Sequence, residues 1–303
     1  MDTFVYMIDG LLLLCTGVML LYWFILAVAS HGKRMQYSKC KCKYRCVVLI
    51  PEENQFSNDT DEKASYELIT YKNLQETVYS LNREQYDIVI LLSGVTYSLS
   101  PHLLEKVCNV YDAGIKVIQL HTMIKDRKGI QKYLQALCEE INNSLFRAGN
   151  TQLGFSSNLY GTNMAIDLTW LQNNLKTSKT NLERKLFRQN IYIEYLPDAI
   201  VYCNSIPAHP YRKRTRKFLS YFLSSLFEGN WNFCNRIIQQ LLPSPTKLYI
   251  CVSIWTLLMA VYDLGESFKW WIILFGLAIT YSLAIPDYLV KEKKRKKNSI
   301  WKR

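Results

Sequence analysis

The residues of this chain whose types and spacing could do chemistry are scattered carboxylates, a cluster of thiols and a run of cations. Between Tyr86 and Pro101 the apolar stretch DIVILL runs into Ser93, Gly94 and Val95, at the C-terminal end of a strand, where α/β proteins usually build their sites. A hard divalent cation takes charged oxygen ligands, and Ser, Gly and Val side chains supply no such charge. Thr96 offers a hydroxyl, and Asp87 begins the strand instead of ending it; Ser-Gly after a strand is also an ordinary turn. Asp59 and Asp61 lie in the polar loop QFSNDTDEK and read as solvated turn carboxylates, and Glu183 reads as a solvated helix carboxylate beside Lys185. Cys40, Cys42 and Cys46 form a C-x-C-x3-C cluster. Three thiolates could begin a zinc site, but the paired C-x-x-C spacing is absent and Lys41, Lys43 and Arg45 surround them. Free thiols, acylated beside a membrane, are the preferred reading. The run Arg212, Lys213, Arg214, Arg216 could hold a phosphate. Glycine is sparse, and no Gly-rich loop could cradle one.

The elements that must position these groups alternate between strand and helix. RCVVLIP (45–51) is a β-branched run ending in proline and reads as a buried strand, as do residues 87–92 and 116–121. Residues 67–71 supply a further strand and 192–202 strand material. Helical spacing covers 74–85, 101–113, the long segment GIQKYLQALCEEINNSLFRA (129–148) and 182–189. Strands alternating with helices imply a parallel α/β sheet.

Much of the 49% hydrophobic content lies outside that sheet. GLLLLCTGVMLLYWFILAVA (10–29) is uncharged and, at 1.5 Å rise per residue, long enough to cross about 30 Å of hydrocarbon. Asp2 and Asp9 precede it and Lys33, Arg34, Lys39, Lys41 and Lys43 follow, which is the charge order of a retained anchor and the reverse of a signal peptide. Two further apolar regions, 248–262 and 270–290, are separated by the turn DLGESFK, expected outside the membrane. Basic flanks stay in the cytoplasm, so the N-terminus is expected outside, with the main domain and the tail KEKKRKKNSIWKR inside. The net charge of +12 is therefore largely membrane-flanking and directed at lipid headgroups; nucleic-acid binding is not expected. Nine cysteines, two of them within spans, do not make a disulfide framework in a reducing compartment.

Several pieces in order resemble the membrane-bound glycosyltransferases of family 2, which have the GT-A fold and are related to cellulose, chitin and hyaluronan synthases. PEEN after the first strand looks like the family's P-x-x-N-E opening. EEINNSLFRAGNTQLGFSSNLYGTNMAI (139–166) is similar to its acceptor-side helix and loop, with Gly161, Thr162, Asn163 and Met164 in the loop. IEYLPDAIVY (193–202) looks like the strand before its membrane-interface helices. The resemblance covers Val47 to the C-terminus. It implies a truncated GT-A-like α/β domain in the cytoplasm plus three transmembrane helices: an anchor at 1–30, a basic linker at 31–45, the GT-A-like domain at 46–210, amphipathic interface helices at 211–246, two spans at 247–290 and a basic tail at 291–303.

Against that family the chain departs in four places. Only 36 positions separate Pro51 from Asp87, where the family uses more than one βαβ unit, each needing about 30 residues; the missing part would carry its uracil-binding Asp. The family's D-x-D carboxylates, which hold the divalent cation bridging the sugar-nucleotide diphosphate, correspond to Ser93 and Val95, so the metal cofactor is expected to be lost. The general-base Asp falls at Lys179, or at Asn181 in a register shifted by two, and Glu183 is the only substitute carboxylate nearby. Q-x-x-R-W corresponds to Arg214, Lys217 and Phe218, and with Arg216 this stretch is the counterpart of the phosphate clamp. An amphipathic interfacial helix, with Phe218, Tyr221, Phe222, Leu226 and Phe227 toward lipid, explains it without catalysis.

These departures imply a pseudo-glycosyltransferase, a partner or scaffold of an active glycosyltransferase or other polysaccharide-synthesis subunit. The alternative is a divergent, metal-independent glycosyltransferase with a lipid-phosphate sugar donor. A third class is a module holding a polysaccharide or membrane lipid near Asn142, Asn143 and Asn163.

Overall fold

The computed structural model describes residues 2–33, 35–41, 44–52, 66–159, 162–175, 181–205, 221–286 and 288–289. Asp59, Asp61, Cys42, Gly161, Lys179 and the stretch Arg212 to Phe218 lie outside the described residues, as does the tail 291–303. The chain forms two compact units, one of residues 33–139 and 154–237, the other of residues 1–32, 140–153 and 238–303.

The first of these units is built on one seven-stranded sheet. Its strands are β1 (Cys46–Pro51), β2 (Tyr66–Tyr71), β3 (Ile88–Leu91), β4 (Thr96–Leu99), β5 (Val117–Ile124), β6 (Met164–Asp167) and β7 (Ile193–Cys203), in the order β2-β1-β3-β6-β5-β7-β4. The parallel sheet expected from the alternation of elements is a mixed one. β1 pairs in parallel with β2 and β3, and β5 with β7, but β6 runs antiparallel to both β3 and β5, and β4 antiparallel to β7. Alternation of strand and helix does not encode direction, and β4 and β6 are four-residue strands with little periodicity to announce them.

Alternate residues of the central strands enter two separate cores, which is why these strands read as unbroken apolar runs. Val47, Leu49, Val89, Leu91, Val117 and Ile166 face one side. There they meet α2 (Leu74–Ser80), α6 (Leu168–Asn174), α7 (Leu182–Arg188) and Phe233 and Ile237. Val48, Ile50, Ile88, Ile90 and Leu92 face the other side, against Leu103, Leu104, Val107 and Val110 of α3 (Leu103–Asp112). Each such side chain contributes on the order of 1.5–3 kcal/mol. α2 ends at Ser80, short of the expected helix to Gln85, because Leu81 turns extended and Asn82 Oδ1 accepts from Glu84 N to form a turn.

α8 (Phe222–Phe227) and α9 (Trp231–Leu241) follow β7. Tyr221 and Phe222, expected toward lipid, pack instead on the core, with Tyr221 6.3 Å from the Phe233 ring and beneath the Arg188 guanidinium at 4.9 Å. Leu226 and Phe227, also expected toward lipid, are exposed, as are Leu223, Trp231, Ile238 and Leu241.

The other unit contains three helices long and apolar enough to cross a membrane. They are α1 (Asp2–Ala29), α10 (Pro245–Tyr262) and α11 (Leu264–Ala284). The third was expected over 270–290 after an exposed turn; DLGESFK is instead helical from Leu264 onward. Asp263 alone breaks the backbone, and its Oδ1 accepts from Gly265 N at 2.8 Å and Glu266 N at 3.3 Å, capping α11.

Asp9 of α1 is fully buried. Its Oδ1 accepts from the indoles of Trp255 (3.0 Å) and Trp270 (2.7 Å), and its Oδ2 lies 2.5 Å from Lys269 Nζ. The long helix runs on past the expected Ala148, through α4 (Ile130–Asn142), a π-helical stretch (Asn143–Gly149) and α5 (Asn150–Gln152). A Cβ on Gly149 would sit 2.5 Å from Leu26 O of α1, so glycine permits this close approach. Gln239 Nε2 joins Asn150 Oδ1 (2.9 Å) to the Tyr22 hydroxyl (2.8 Å) beside it.

Candidate functional site

The parallel strands β1, β3, β5 and β7 end at one edge of the sheet, where the antiparallel β4 and β6 begin. Five short polar side chains meet there: Ser93 after β3, Thr96 opening β4, Thr122 near the end of β5, Asn163 just before β6 and Cys203 closing β7. All five are buried. Asn163 is the hub. Its backbone is left-handed, with φ of 53°, a conformation asparagine tolerates better than most residues. Its Oδ1 accepts from Ser93 N at 3.0 Å and from the Thr96 hydroxyl at 3.1 Å. Its Nδ2 donates to Thr122 Oγ1 at 3.0 Å and to Cys203 Sγ at 3.5 Å. Ser93 Oγ and Thr96 Oγ1 are 2.8 Å apart, and each approaches Cys203 Sγ, at 3.8 and 3.6 Å. Gln119 Nε2 donates to the Asn163 carbonyl at 2.9 Å and holds the loop from beneath.

No member of this knot carries charge. Burial pushes the Cys203 thiol up, with the Glu139 carboxylate adding to the effect, so the sulfur stays protonated. A cation here would meet two hydroxyls, an amide oxygen already accepting twice and a neutral thiol. That donor set does not repay the desolvation of a divalent ion. The residues present therefore do not fit the metal that the family resemblance implies. Val95 at the second expected ligand position packs against the α3-side core.

The base-side residues divide. Asn181 is the N-cap of α7, its Oδ1 accepting from Arg184 N at 3.0 Å, so its amide has a structural partner. Glu183, expected in solvent beside Lys185, is buried. Its Oε1 lies 2.7 Å from Arg236 Nη2 of α9 and 3.2 Å from the Leu159 amide, which donates to it. α7 buries Leu182, Glu183, Leu186 and Phe187 on one stripe, and the Glu falls on that stripe beside Leu182. Thr162, Asn163 and Met164 are placed beside β5, with Asn163 O accepting from Leu120 N at 3.0 Å; Met164 is the first residue of β6, not of a loop.

Sequence reasoning missed Thr122, Cys203 and Gln119. A signal was present, since strands meeting at this edge end or begin in small hydrogen-bonding residues. It also missed a second buried carboxylate, Glu194 of β7. Glu194 Oε2 accepts from the Tyr37 hydroxyl at 2.7 Å and Oε1 from Tyr195 N at 3.0 Å. Burial is the foremost cause holding its carboxyl above the ordinary range. The linker expected at 31–45 is thus docked here by Tyr37, and the same contact drives the Tyr37 phenol upward, again chiefly through burial.

A search of curated proteins finds no match. Among solved structures, the chain is similar to the mannosyltransferase of Pyrobaculum calidifontis in complex with GDP-Man and Mn2+, at 10% identity and a TM-score of 0.42, over 90% of this chain and 97% of that one. A comparison with protein-family models matches residues 88–283 to glycosyl transferase family group 2. That match spans β3 to the end of α11, including the knot, the Glu183 helix and two of the three apolar helices, and the chain belongs to the family 2 group of glycosyl transferases, with a GT-A-like α/β sheet.

Proposed function

We propose that this protein is a membrane-embedded pseudo-glycosyltransferase, a partner or scaffold for an active glycosyltransferase in polysaccharide or glycolipid synthesis. One observation supports the reading: the strand end that the resemblance sets against the family's metal carboxylates is filled by a neutral hydrogen-bonded knot centred on Asn163. Two more support it. The Asn181 side chain is committed to capping α7, and Glu183 is committed to Arg236. A general base must accept a proton from the acceptor in the transition state, and the Glu183 carboxylate is turned instead to the Arg236 guanidinium at 2.7 Å. The charge order around α1 and the basic run after residue 290 support an external N-terminus, with the α/β unit and the C-terminus in the cytoplasm.

The reading is tested by purifying the full chain in mild detergent and assaying transfer from UDP- and GDP-sugars with Mn2+ or Mg2+. No turnover, together with a stoichiometric active glycosyltransferase in the same purification, is the expected result. Transfer that falls when Glu183 is changed to Gln would overturn it, and so would transfer from an isoprenoid-phosphate sugar by the purified chain alone. Protease protection of tags at the two termini in sealed vesicles checks the orientation separately.

A further inference from the structure

Cys46 opens β1 and is buried; Cys108 lies on α3 and is half-buried, reachable from solvent. Their Sγ atoms are 3.7 Å apart. Both sulfurs sit on packed elements. Val48 and Ile50 of β1 share a core with Leu104 and Val107 of α3, and the segment before β1 is strapped along the same helix. Cys40 N donates to Asn109 Oδ1 at 2.7 Å, the Tyr44 hydroxyl donates to Asp112 Oδ1 at 2.8 Å, and the Tyr44 ring meets Tyr111 edge-on at 4.9 Å. The thiol cluster that the sequence places after the anchor is therefore divided: Cys46 is turned into the protein, away from any acylating lipid, and it meets a fourth cysteine that no sequence spacing connects to it.

The two thiols are unequal. The hydrogen bond from Cys46 pulls the Cys108 thiol down, while the same contact and burial push Cys46 up. The half-buried member thus gains thiolate character and the buried member stays protonated, the division of labour between an attacking and a resolving cysteine.

We propose that Cys46 and Cys108 form a peroxide-responsive dithiol that closes reversibly to a disulfide between β1 and α3. The Cys108 thiolate attacks one oxygen of hydrogen peroxide, breaks the O–O bond and becomes a sulfenic acid, and the hydroxide released takes up a proton to give water. Cys46 Sγ then attacks the Cys108 sulfur, forming the S–S bond and expelling the sulfenic hydroxyl, which leaves as a second water with the Cys46 proton. Two thiols and one peroxide become one disulfide and two waters. The sulfurs must approach from 3.7 Å to bonding distance, roughly 2.05 Å. Neither the glycosyltransferase-like reading nor its failure bears on this step.

The full chain in mild detergent, reduced and then exposed to hydrogen peroxide, is mapped by peptide mass spectrometry. A linked Cys46–Cys108 peptide lighter by two hydrogens, lost again on adding dithiothreitol, is expected. In Cys46→Ser the reaction stops at a dimedone-trapped sulfenic acid on Cys108, and in Cys108→Ser Cys46 is not trapped. Half-buried Cys138 serves as internal comparison in the unmodified chain, and Cys108, beside a second thiol, should be oxidised faster than Cys138. Oxidation of Cys108 to sulfinic or sulfonic acid without the linked peptide would overturn the proposal, even if neither variant folds. Equal reactivity of Cys108 and Cys138 would do the same.

Discussion

Replacing Asn163 by alanine removes four hydrogen bonds at once from a fully buried position, and the cost can be worked through partner by partner. The Ser93 amide cannot rotate away, and a buried donor stripped of its acceptor costs about 1–3 kcal/mol. Thr96 and Ser93 keep each other at 2.8 Å, so the Thr96 hydroxyl loses no more than the net value of one bond, about 0.5–1.5 kcal/mol. Thr122 loses a donor at a similar cost, and the thiol, a weak acceptor, loses little. Alanine must also hold the left-handed backbone at φ 53°, a strain of about 1 kcal/mol. The total is about 3–7 kcal/mol, and at about 2–4 °C per kcal/mol for a unit of this size the thermal midpoint in detergent should fall by roughly 6–28 °C. Asn163→Gly removes the same bonds without the strain and should fall about 1 kcal/mol less. Asn163→Asp separates a neutral knot from a latent cation site. Its carboxyl enters a set with no compensating charge, so its folded pKa is raised above the unfolded value. Its stability is then retained at low pH and lost as pH rises through the raised value, and Mn2+ does not restore it. A loss under about 1 kcal/mol for alanine, smaller than the net value of two hydrogen bonds, would refute the hub. Rescue of Asn163→Asp by Mn2+ would refute its neutrality.

Glu194 makes a second pH prediction. Its folded pKa is raised, chiefly by burial, so the stability of the native chain relative to Glu194→Gln should decline as pH rises from the ordinary Glu value through the raised one, read as the difference between two midpoint–pH curves. Lys269→Met strands Asp9 with two indoles and no cation, and should cost about 3–5 kcal/mol of thermal stability, while Asp9→Asn with Lys269→Met recovers most of it in a double-mutant cycle. Gly149→Ala places a Cβ 2.5 Å from Leu26 O, and the forced separation should cost about 1–3 kcal/mol by the same measurement.

What was legible in the sequence follows from the length scale of each signal. α1, α10 and α11 are long apolar runs, and β1, β3 and β5 are apolar stretches buried on both faces, so composition alone announces them; β7, broken by Pro197 and the exposed Asp198, was legible only as strand material. β4 and β6 are four residues each and carry no comparable pattern. The direction of β6, which makes the sheet mixed, depends on which edge the chain re-enters after the long helix, and no local pattern states it. Ser93 and Val95 could be picked out singly as lacking charge. That Asn163, 70 positions along the chain, meets Ser93 at this strand end is a property of the fold. Glu183 was misread for a local reason: a carboxylate on a charged helix defaults to solvent, and only the stripe Leu182, Leu186, Phe187 warned that position 183 lies at the edge of the buried face.

The knot also bears on what separates this chain from a metal-dependent relative. Without a hub, the strand ends around Ser93 would hold buried donors and acceptors short of partners, and each would cost on the order of 1–3 kcal/mol. Instead the Ser93 amide, both threonine hydroxyls and the Cys203 thiol all converge on one asparagine whose carboxamide supplies two donors and a twice-accepting oxygen. Placing Asp at positions 93 and 95 would set two charges against this saturated neutral set. The edge is thus stabilised by neutral hydrogen bonds that draw together the ends of β3, β4, β5, β6 and β7. Under the proposed reading such closure keeps the sheet rigid without a nucleotide or metal to order it, which is what a scaffold requires and a catalyst does not.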